Sequence, residues 1–384
     1  MSQKPLKLLL VAGEASADLH GSKLVRELKA LSPKPVEVFG VGGTNLRAEG
    51  MEVLVEAGNL SIMGVSAVFK RLPELLGYFS LLLSRCETEK PDLAILIDLP
   101  DFNLRLARKL KKKGIPVLYY ISPQVWAWRS YRIKHIKRFV DKMLVLFPFE
   151  KDFYESRGVP VSFVGHPLLD FIPAREVERS QSEMKEIPRL AILPGSRSSE
   201  LEHHQELLIS LVDRLSIRFP RLEVRLPVAP TLSLEKVNKL FEHPRISVEK
   251  NNAYDILCWA DIAAVASGTA TLEAALVGTP FFLFYSVSAF HAFLFRTVVR
   301  WSGPLGMANL ISDQNVTQEF FQEKARVDLL EAECIKMLED ETYRKRMRDG
   351  LSLCRERLGA SGASRRAAGE VLDLIYSEKG ARAT

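Results

Sequence analysis

Leu6-Lys7-Leu8-Leu9-Leu10-Val11-Ala12-Gly13-Glu14-Ala15-Ser16-Ala17-Asp18-Leu19-His20-Gly21 decides the fold class. A short apolar run with little alternation leads into a turn of small residues, and the turn opens a helix. A strand that is apolar at nearly every position is buried on both faces, as in parallel sheets covered by helices. The same unit recurs along the chain. Apolar runs lie at Leu6–Ala12, Val36–Val41, Leu93–Ile97, Val117–Ile121 and Met143–Leu146, separated by helical stretches of mixed charge. A second series follows at Leu190–Leu193, Glu223–Leu226, Ile262–Ala266 and Phe281–Phe284. Between the two lies a polar stretch, Pro173 to Pro188, that reads as a linker or a solvated helix. The expected class is α/β: two tandem doubly wound, Rossmann-like domains with charged helices closing the chain from about Asp328. The expected boundaries are 1–170, a linker at 171–188, 189–355, and a last helix at 356–384 that packs on the first domain or on a partner subunit.

The bulk numbers agree with this reading. A chain of 384 residues with 47% hydrophobic content suits two average domains, each able to bury a core. The net charge of +6 favours an anionic partner such as a nucleotide, a sugar phosphate or an acidic lipid. Nucleic acid is not expected, because there is no Arg-rich arm. Cys86, Cys258, Cys334 and Cys354 are far apart and lack metal-ligand spacing, which points to a reducing compartment and no metal. Lys4, Lys7 and the Leu8–Val11 run imitate a signal peptide, with Ala15-Ser16-Ala17 as a cleavage site. The run is short and Glu14 interrupts it, so a buried first strand is the better reading. The longest apolar stretch, Phe281 to Phe295, is too short to span a bilayer and contains His291, so the protein is expected to be soluble or peripheral.

In doubly wound sheets, ligands sit at the carboxyl ends of the strands. The turn Gly13–Gly21 can offer free backbone N–H groups to an anion or a sugar hydroxyl, with Ser16 or Asp18 alternatively serving as a cap. Asp98, in Ile97-Asp98-Leu99-Pro100-Asp101-Phe102-Asn103, ends a buried strand, where a carboxylate can act as general base on a sugar hydroxyl. Asp101 reads better as a helix cap. Trp126 and Trp128, with Arg129, suit a sugar face and a phosphate, or else a packed corner. His166 is either catalytic or a structural histidine at a domain junction. In the second half, Leu193-Pro194-Gly195-Ser196-Arg197 is a plausible diphosphate cradle with a fixed guanidinium. Ser267-Gly268-Thr269-Ala270-Thr271-Leu272-Glu273 places small and hydroxyl residues at a helix N-terminus, and Glu273 can accept from ribose hydroxyls.

These stretches, in this order and approximate spacing, resemble the lipid-A-disaccharide synthase family. Ile62-Met63-Gly64 and Phe147-Pro148-Phe149-Glu150-Lys151 match as well, and the Val125-Trp126-Ala127-Trp128-Arg129 loop is the most specific part. The resemblance covers nearly the whole chain. It implies the two-domain GT-B fold and an inverting transfer without metal or other cofactor. The donor would be UDP-2,3-diacylglucosamine, and the acceptor the 6-hydroxyl of 2,3-diacylglucosamine 1-phosphate. It implies Asp98 and Glu14 as the catalytic pair. Ser196, Arg197, Ser267, Gly268, Thr269, Ala270, Glu273 and Asn309 would bind UDP and the donor. Ser16, Trp126, Arg129 and His166 would contact the acceptor or sugar. The chain departs from the family at Ser16-Ala17-Asp18, where Ser-Gly-Asp is usual, and at Met307-Ala308-Asn309, where Leu-Pro-Asn is usual.

Acylated substrates require a membrane contact. Val65, Val68, Phe69, Leu72, Leu75 and Leu76 form an apolar series beside Lys70 and Arg71, suited to an anionic membrane surface or else to a buried helix pair. A second apolar series runs from Phe290 to Trp301. The expected location is therefore the cytoplasmic face of the inner membrane, and a homodimer through the C-terminal helices is allowed. The rival readings are another GT-B UDP-sugar transferase, a UDP-sugar epimerase, or a non-catalytic membrane-binding module.

Overall fold

The computed structural model describes residues 4–60, 71–127, 129–172, 186–229, 232–250, 252–286 and 303–383. Val65, Val68, Phe69, Trp128 and the series from Phe290 to Trp301 lie outside these residues, as does most of the expected linker. The chain divides into two compact units, Met1–Pro167 with Ala360–Thr384, and Leu168–Gly359.

Unit 1 is built on a parallel seven-stranded sheet in the order β3-β2-β1-β4-β5-β6-β7. Its strands are β1 Leu6–Ala12, β2 Val36–Gly42, β3 Glu52–Glu56, β4 Leu93–Ile97, β5 Val117–Tyr120, β6 Lys142–Val145 and β7 Val161–Phe163. Its first helices are α1 Ala15–Leu31, α2 Thr44–Ala48, α3 Ala57–Leu60, α4 Leu72–Glu89, α5 Pro100–Lys112, α6 Ile133–Phe139 and α7 Pro148–Glu155. The two-residue period of a strand sends alternate side chains to opposite faces. Leu9, Val11, Ala94 and Leu96 therefore pack among residues of α4 to α7, such as Leu82, Leu106, Ile136 and Tyr154. Leu8, Leu10, Ile95 and Ile97 pack on the other face, against Leu24, Val25 and Leu28 of α1.

Unit 2 carries a parallel six-stranded sheet in the order β10-β9-β8-β11-β12-β13. Its strands are β8 Arg189–Leu193, β9 Glu223–Pro227, β10 Ile246–Glu249, β11 Ile262–Ala266, β12 Phe281–Tyr285 and β13 Glu319–Phe321. Its helices are α8 Ser198–Arg218, α9 Leu234–Leu240, α10 Ala253–Trp259, α11 Thr269–Val277, α12 Met307–Ser312, α13 Val327–Glu339 and α14 Glu341–Arg357. The chain then returns to unit 1 as α15, Ala363–Ala383. Ala367, Ala368, Val371, Leu372 and Ile375 of α15 complete the same core face as α1. Arg366 clamps the helix by donating to the Val164 carbonyl at 2.8 Å.

The apolar runs read from the sequence are the inner strands. The four strands that were not read, β3, β7, β10 and β13, are the four sheet edges. Edge strands are covered less completely, so their side chains need not be uniformly apolar. The side chains of β3 are mostly exposed or half-buried and those of β13 are all half-buried.

Candidate active site

The β1 and β4 strands end in register, with Ala12 opposite Ile97. The turns that follow, Gly13–Glu14 and Asp98–Leu99, therefore lie side by side. A Cβ on Gly13 would stand 2.5 Å from the end of the Leu99 side chain, so the two turns approach closely. Glu14 is the N-cap residue of α1 but makes no side-chain capping bond, and both Glu14 and Ser16 are exposed. Asp18 caps a different helix from its own. It is buried and accepts from the N–H groups of Gly43, Asn45 and Leu46 at 2.6, 3.0 and 3.2 Å, at the start of α2.

Asp98 and Leu99 both take left-handed backbone, with φ of 48° and 46°. Such a conformation costs on the order of 1–3 kcal/mol at a non-glycine residue and persists where the surroundings over-determine it. Here the clamps are visible. The Asp98 N–H donates to the Tyr120 carbonyl at 3.2 Å. The Asp98 carbonyl accepts from the Tyr119 hydroxyl, and from Asn103 Nδ2 at 2.8 Å. Burial pushes the Asp98 carboxyl up to about 6, the Glu14 charge adds to this, and the Leu99 N–H opposes it. Asp98 is thus a largely ionised, poorly solvated carboxylate at neutral pH, ready to take a proton.

Asp101 has another role than the expected cap. The helix begins at Pro100 with Leu99 as its N-cap. The exposed Asp101 carboxylate pairs with Arg129 at 3.3 Å and with the buried Arg132. It thereby anchors the far end of the loop after β5. Within that loop, Trp126 is half-buried and its indole N–H donates to Glu150 Oε1 at 3.3 Å. His166 is buried, and burial lowers its affinity for protons to about 3. Such an imidazole is neutral at physiological pH and is a weak base, which favours the structural reading of this residue.

In unit 2, Val265 of β11 lies opposite Leu193 of β8, so the two expected anion turns are also neighbours. They differ in occupancy. The N–H groups of Ser196 and Arg197 both donate to Glu200 Oε2, at 3.0 and 3.3 Å. The Arg197 guanidinium donates to Glu200 Oε1 at 2.8 Å. At the start of α11, Gly268 has φ of 150° and no side chain caps the helix. Ser267, Gly268, Thr269 and Ala270 are exposed or half-buried. Glu273 is half-buried, its affinity for protons raised by burial alone. His204 ties the first turn to the sheet. It is fully buried, its Nδ1 lies 2.8 Å from the Pro194 carbonyl, and its Nε2 accepts the Ser286 N–H at 3.3 Å.

Asn309 is spent inside the unit. Its Nδ2 donates to the Thr317 carbonyl and to Glu319 at 2.9 and 2.8 Å, and its Oδ1 accepts the N–H groups of Val316 and Thr317 at 2.8 and 2.9 Å. With its side-chain amide saturated, Asn309 fixes the loop before β13.

A family model described as lipid-A-disaccharide synthetase matches residues 8–370. The chain belongs to that family. The lipid-A-disaccharide synthase of Myxococcus xanthus is 39% identical over 377 residues, covering 97% of this chain and 98% of the relative. That of Geobacter sulfurreducens is 38% identical over 375 residues, covering 96% and 97%. Among solved structures, the UDP-GlcNAc 2-epimerase of Neisseria meningitidis aligns with a TM-score of 0.63 at 13% identity, over 96% of this chain and 100% of its own. MurG of Acinetobacter baumannii aligns with a TM-score of 0.59 at 12% identity, over 97% and 100%. At such identities the likeness is one of fold, and the fold is the expected pair of parallel-sheet α/β units of the GT-B class.

Both departures from the usual pattern of lipid-A-disaccharide synthases are absorbed locally. The Ala17 methyl packs into the core face of α1 at 2% exposure. Ala308 is buried inside α12, and Glu319 binds the N–H groups of Leu305 and Gly306 at 3.0 and 2.9 Å just before that helix. Sequence reading named Glu150 only within a family match, without a role, and missed Glu200, His204 and Glu319. Glu150 and Glu200 stand three residues after a helix N-cap, the spacing of a capping carboxylate. His204 and Glu319 act through space and leave no local signature.

Proposed function

We propose that the chain transfers 2,3-diacylglucosamine from UDP to the 6-hydroxyl of 2,3-diacylglucosamine 1-phosphate, giving the β-1,6 disaccharide 1-phosphate and UDP with inversion. Family membership supports the identity of the substrates. The observation that carries the chemistry is Asp98, a carboxylate with a raised proton affinity on a strained, clamped turn. The acceptor O6 attacks the anomeric carbon from the face opposite UDP. The O6–C1 bond forms as the bond from C1 to the β-phosphate oxygen breaks. The hydroxyl proton passes to Asp98, and the electron pair leaves with UDP. Glu14 raises the basicity of Asp98 through its charge. The open N-terminus of α11, from Gly268 to Ala270, offers N–H groups to the diphosphate, with the Ser267 hydroxyl, Ser196 and Arg197 beside it; the Ser267 N–H itself is taken by the Phe284 carbonyl. Glu273 accepts from the ribose hydroxyls. Ser16, Trp126 and Arg129 serve the acceptor, and His166 supports the aromatic residues near it. The experiment is UDP release with the two defined substrates. No release with both present, or equal release without the acceptor, would sink the reading.

Among the described residues no helix is long and apolar enough to cross a membrane. We propose peripheral binding to the cytoplasmic face of the inner membrane through α4 and α5. Leu72 and Leu76 of α4 are 40% and 60% exposed. Arg105, Arg108, Lys109 and Lys112 line the outer face of α5 and have no carboxylate partner among the described residues. Leu75 is removed from the lipid-facing set, because it packs against the core of unit 1. Replacing Leu72 and Leu76 with Ser should release the protein from anionic vesicles, and unchanged sedimentation with vesicles would count against this face. A homodimer through the C-terminal helices would not use the apolar side of α15, which is spent in unit 1.

A further inference from the structure

Glu150 is a buried carboxylate that the transfer chemistry leaves unused. It is 3% exposed and no cation faces it among the described residues. Its neighbours are the Trp126 indole N–H and the Phe147 N–H, each at 3.3 Å, with the Leu146 N–H and the Ser122 hydroxyl. Ser122 in turn lies 2.8 Å from the buried Tyr154 hydroxyl. Burying a carboxylate without a cation costs stability. A cap could be made more cheaply by a neutral group, so the charge needs another explanation.

The explanation lies in what Trp126 touches. Its indole meets Phe149 edge-on at 5.1 Å, Phe149 stacks on Phe147 at 5.6 Å, and Phe147 lies 5.3 Å from His166. Trp126, Phe147 and His166 follow β5, β6 and β7 in turn, so the rings run along the ligand end of the sheet. Trp126, Phe147 and Phe149 are each half-buried, leaving part of their surface to solvent.

We propose that Glu150 is a positioning residue. By accepting the indole N–H it fixes Trp126 as the outer end of this aromatic series, and the series takes the apolar face of the acceptor sugar. The inference rests on the acceptor role given to unit 1 above. A pyranose ring presents C–H groups on one face, and these pack on aromatic surface while its hydroxyls remain free for polar groups.

The test compares Glu150→Gln, Trp126→Phe and the double variant in the UDP-release assay at pH 8. Glu150→Gln is expected to raise the acceptor KM about 10-fold, the worth of one hydrogen bond to a charged group. The donor KM and kcat should stay within about threefold. The double variant should be no worse than Trp126→Phe alone, because the two residues act as one unit.

The Tm of the Gln variant follows the ionisation of the carboxyl and not its role, so the acceptor KM and the double variant carry the distinction from a merely structural Glu150. Burial pushes the carboxyl up to about 7, above its unfolded value, so its ionised form costs stability at pH 8 and Gln removes that cost. Tryptophan fluorescence should also titrate near pH 7 in the wild type and not in either single variant. The groups around Glu150 do not interfere, since the Tyr154 hydroxyl is pushed far up and His166 is held down to about 3. An unchanged acceptor KM in Glu150→Gln, additive effects in the double variant, or a lower Tm with both KM values raised would each overturn the proposal. A wild type that releases no UDP would overturn the acceptor reading instead, and a missing fluorescence titration would then overturn the Glu150–Trp126 link separately.

Discussion

The turn after β4 in unit 1 and the turn after β11 in unit 2 hold equivalent places. Each follows the strand that pairs with the first strand of its unit, on the side where the strand order reverses. That reversal opens the crevice where doubly wound sheets bind ligands. Unit 1 fills the place with Asp98, on backbone forced into left-handed φ and held by Tyr119, Tyr120 and Asn103. Unit 2 fills it with Gly268 and leaves the helix N-terminus uncapped. One turn delivers a negative charge to a fixed point, and the other delivers unspent N–H groups. The same topology therefore ends in a buried carboxylate in one unit and an uncapped helix N-terminus in the other, and the side chains at the strand ends make the difference.

Exchanging these characters one at a time breaks the comparison. The largest effect is expected from Asp98→Asn, which keeps the shape and tolerates left-handed φ but removes the base. Turnover should fall about 10²–10⁴-fold, with little change in either KM. In the wild type, turnover should fall as pH drops through about 6, where Asp98 takes up its proton. The stability effect has the opposite sense. The folded state holds the Asp98 proton more tightly than the unfolded chain does, so the ionised group costs stability above about pH 6. Asp98→Asn should therefore raise Tm at pH 8, by about 2–4 °C in calorimetry. A loss of turnover accompanied by a lower Tm would assign Asp98 to the fold.

Gly268→Ala should do the converse. A methyl group there meets nothing within 4 Å, so any penalty comes from the φ of 150°. Strain of about 1–3 kcal/mol at the cradle should raise the Kd for UDP roughly 10-fold in titration calorimetry and leave the acceptor KM alone. The smallest effect concerns the neighbouring cradle. Glu200 occupies the N–H groups and the guanidinium that a diphosphate would meet. Glu200→Gln should tighten UDP by about threefold, because a charged competitor is removed from an exposed site. Weaker UDP binding would show instead that Glu200 holds Arg197 in place for the nucleotide.

The sequence carried the inner strands and the turns after them, because both are local patterns. A fully buried strand such as Leu93–Ile97 needs an unbroken apolar run, and the residues after it stand where ligands bind. Partners distant in sequence left no such trace. Asp18 reads as a cap for its own helix and in fact serves Asn45 and its neighbours on the next one. Nothing in the sequence near Asn309 shows that its amide holds the N–H groups of Val316 and Thr317. The edge strands escaped for the same physical reason, since half-covered side chains are under weaker pressure to be apolar.

The return of α15 to unit 1 also bears on synthesis. Leu8, Leu10 and Ile95 lie on the face that Ala368, Val371 and Ile375 help to cover. On the ribosome the sheet of unit 1 emerges first, but its last covering helix emerges only after all of unit 2 has been made. At about 5–20 residues per second that interval lasts roughly ten seconds or more. During it, a nascent chain displays part of an unfinished apolar face, a natural target for a holding chaperone. Unit 2 is in effect an insertion tethered at both ends, so unit 1 is completed only once unit 2 has been made.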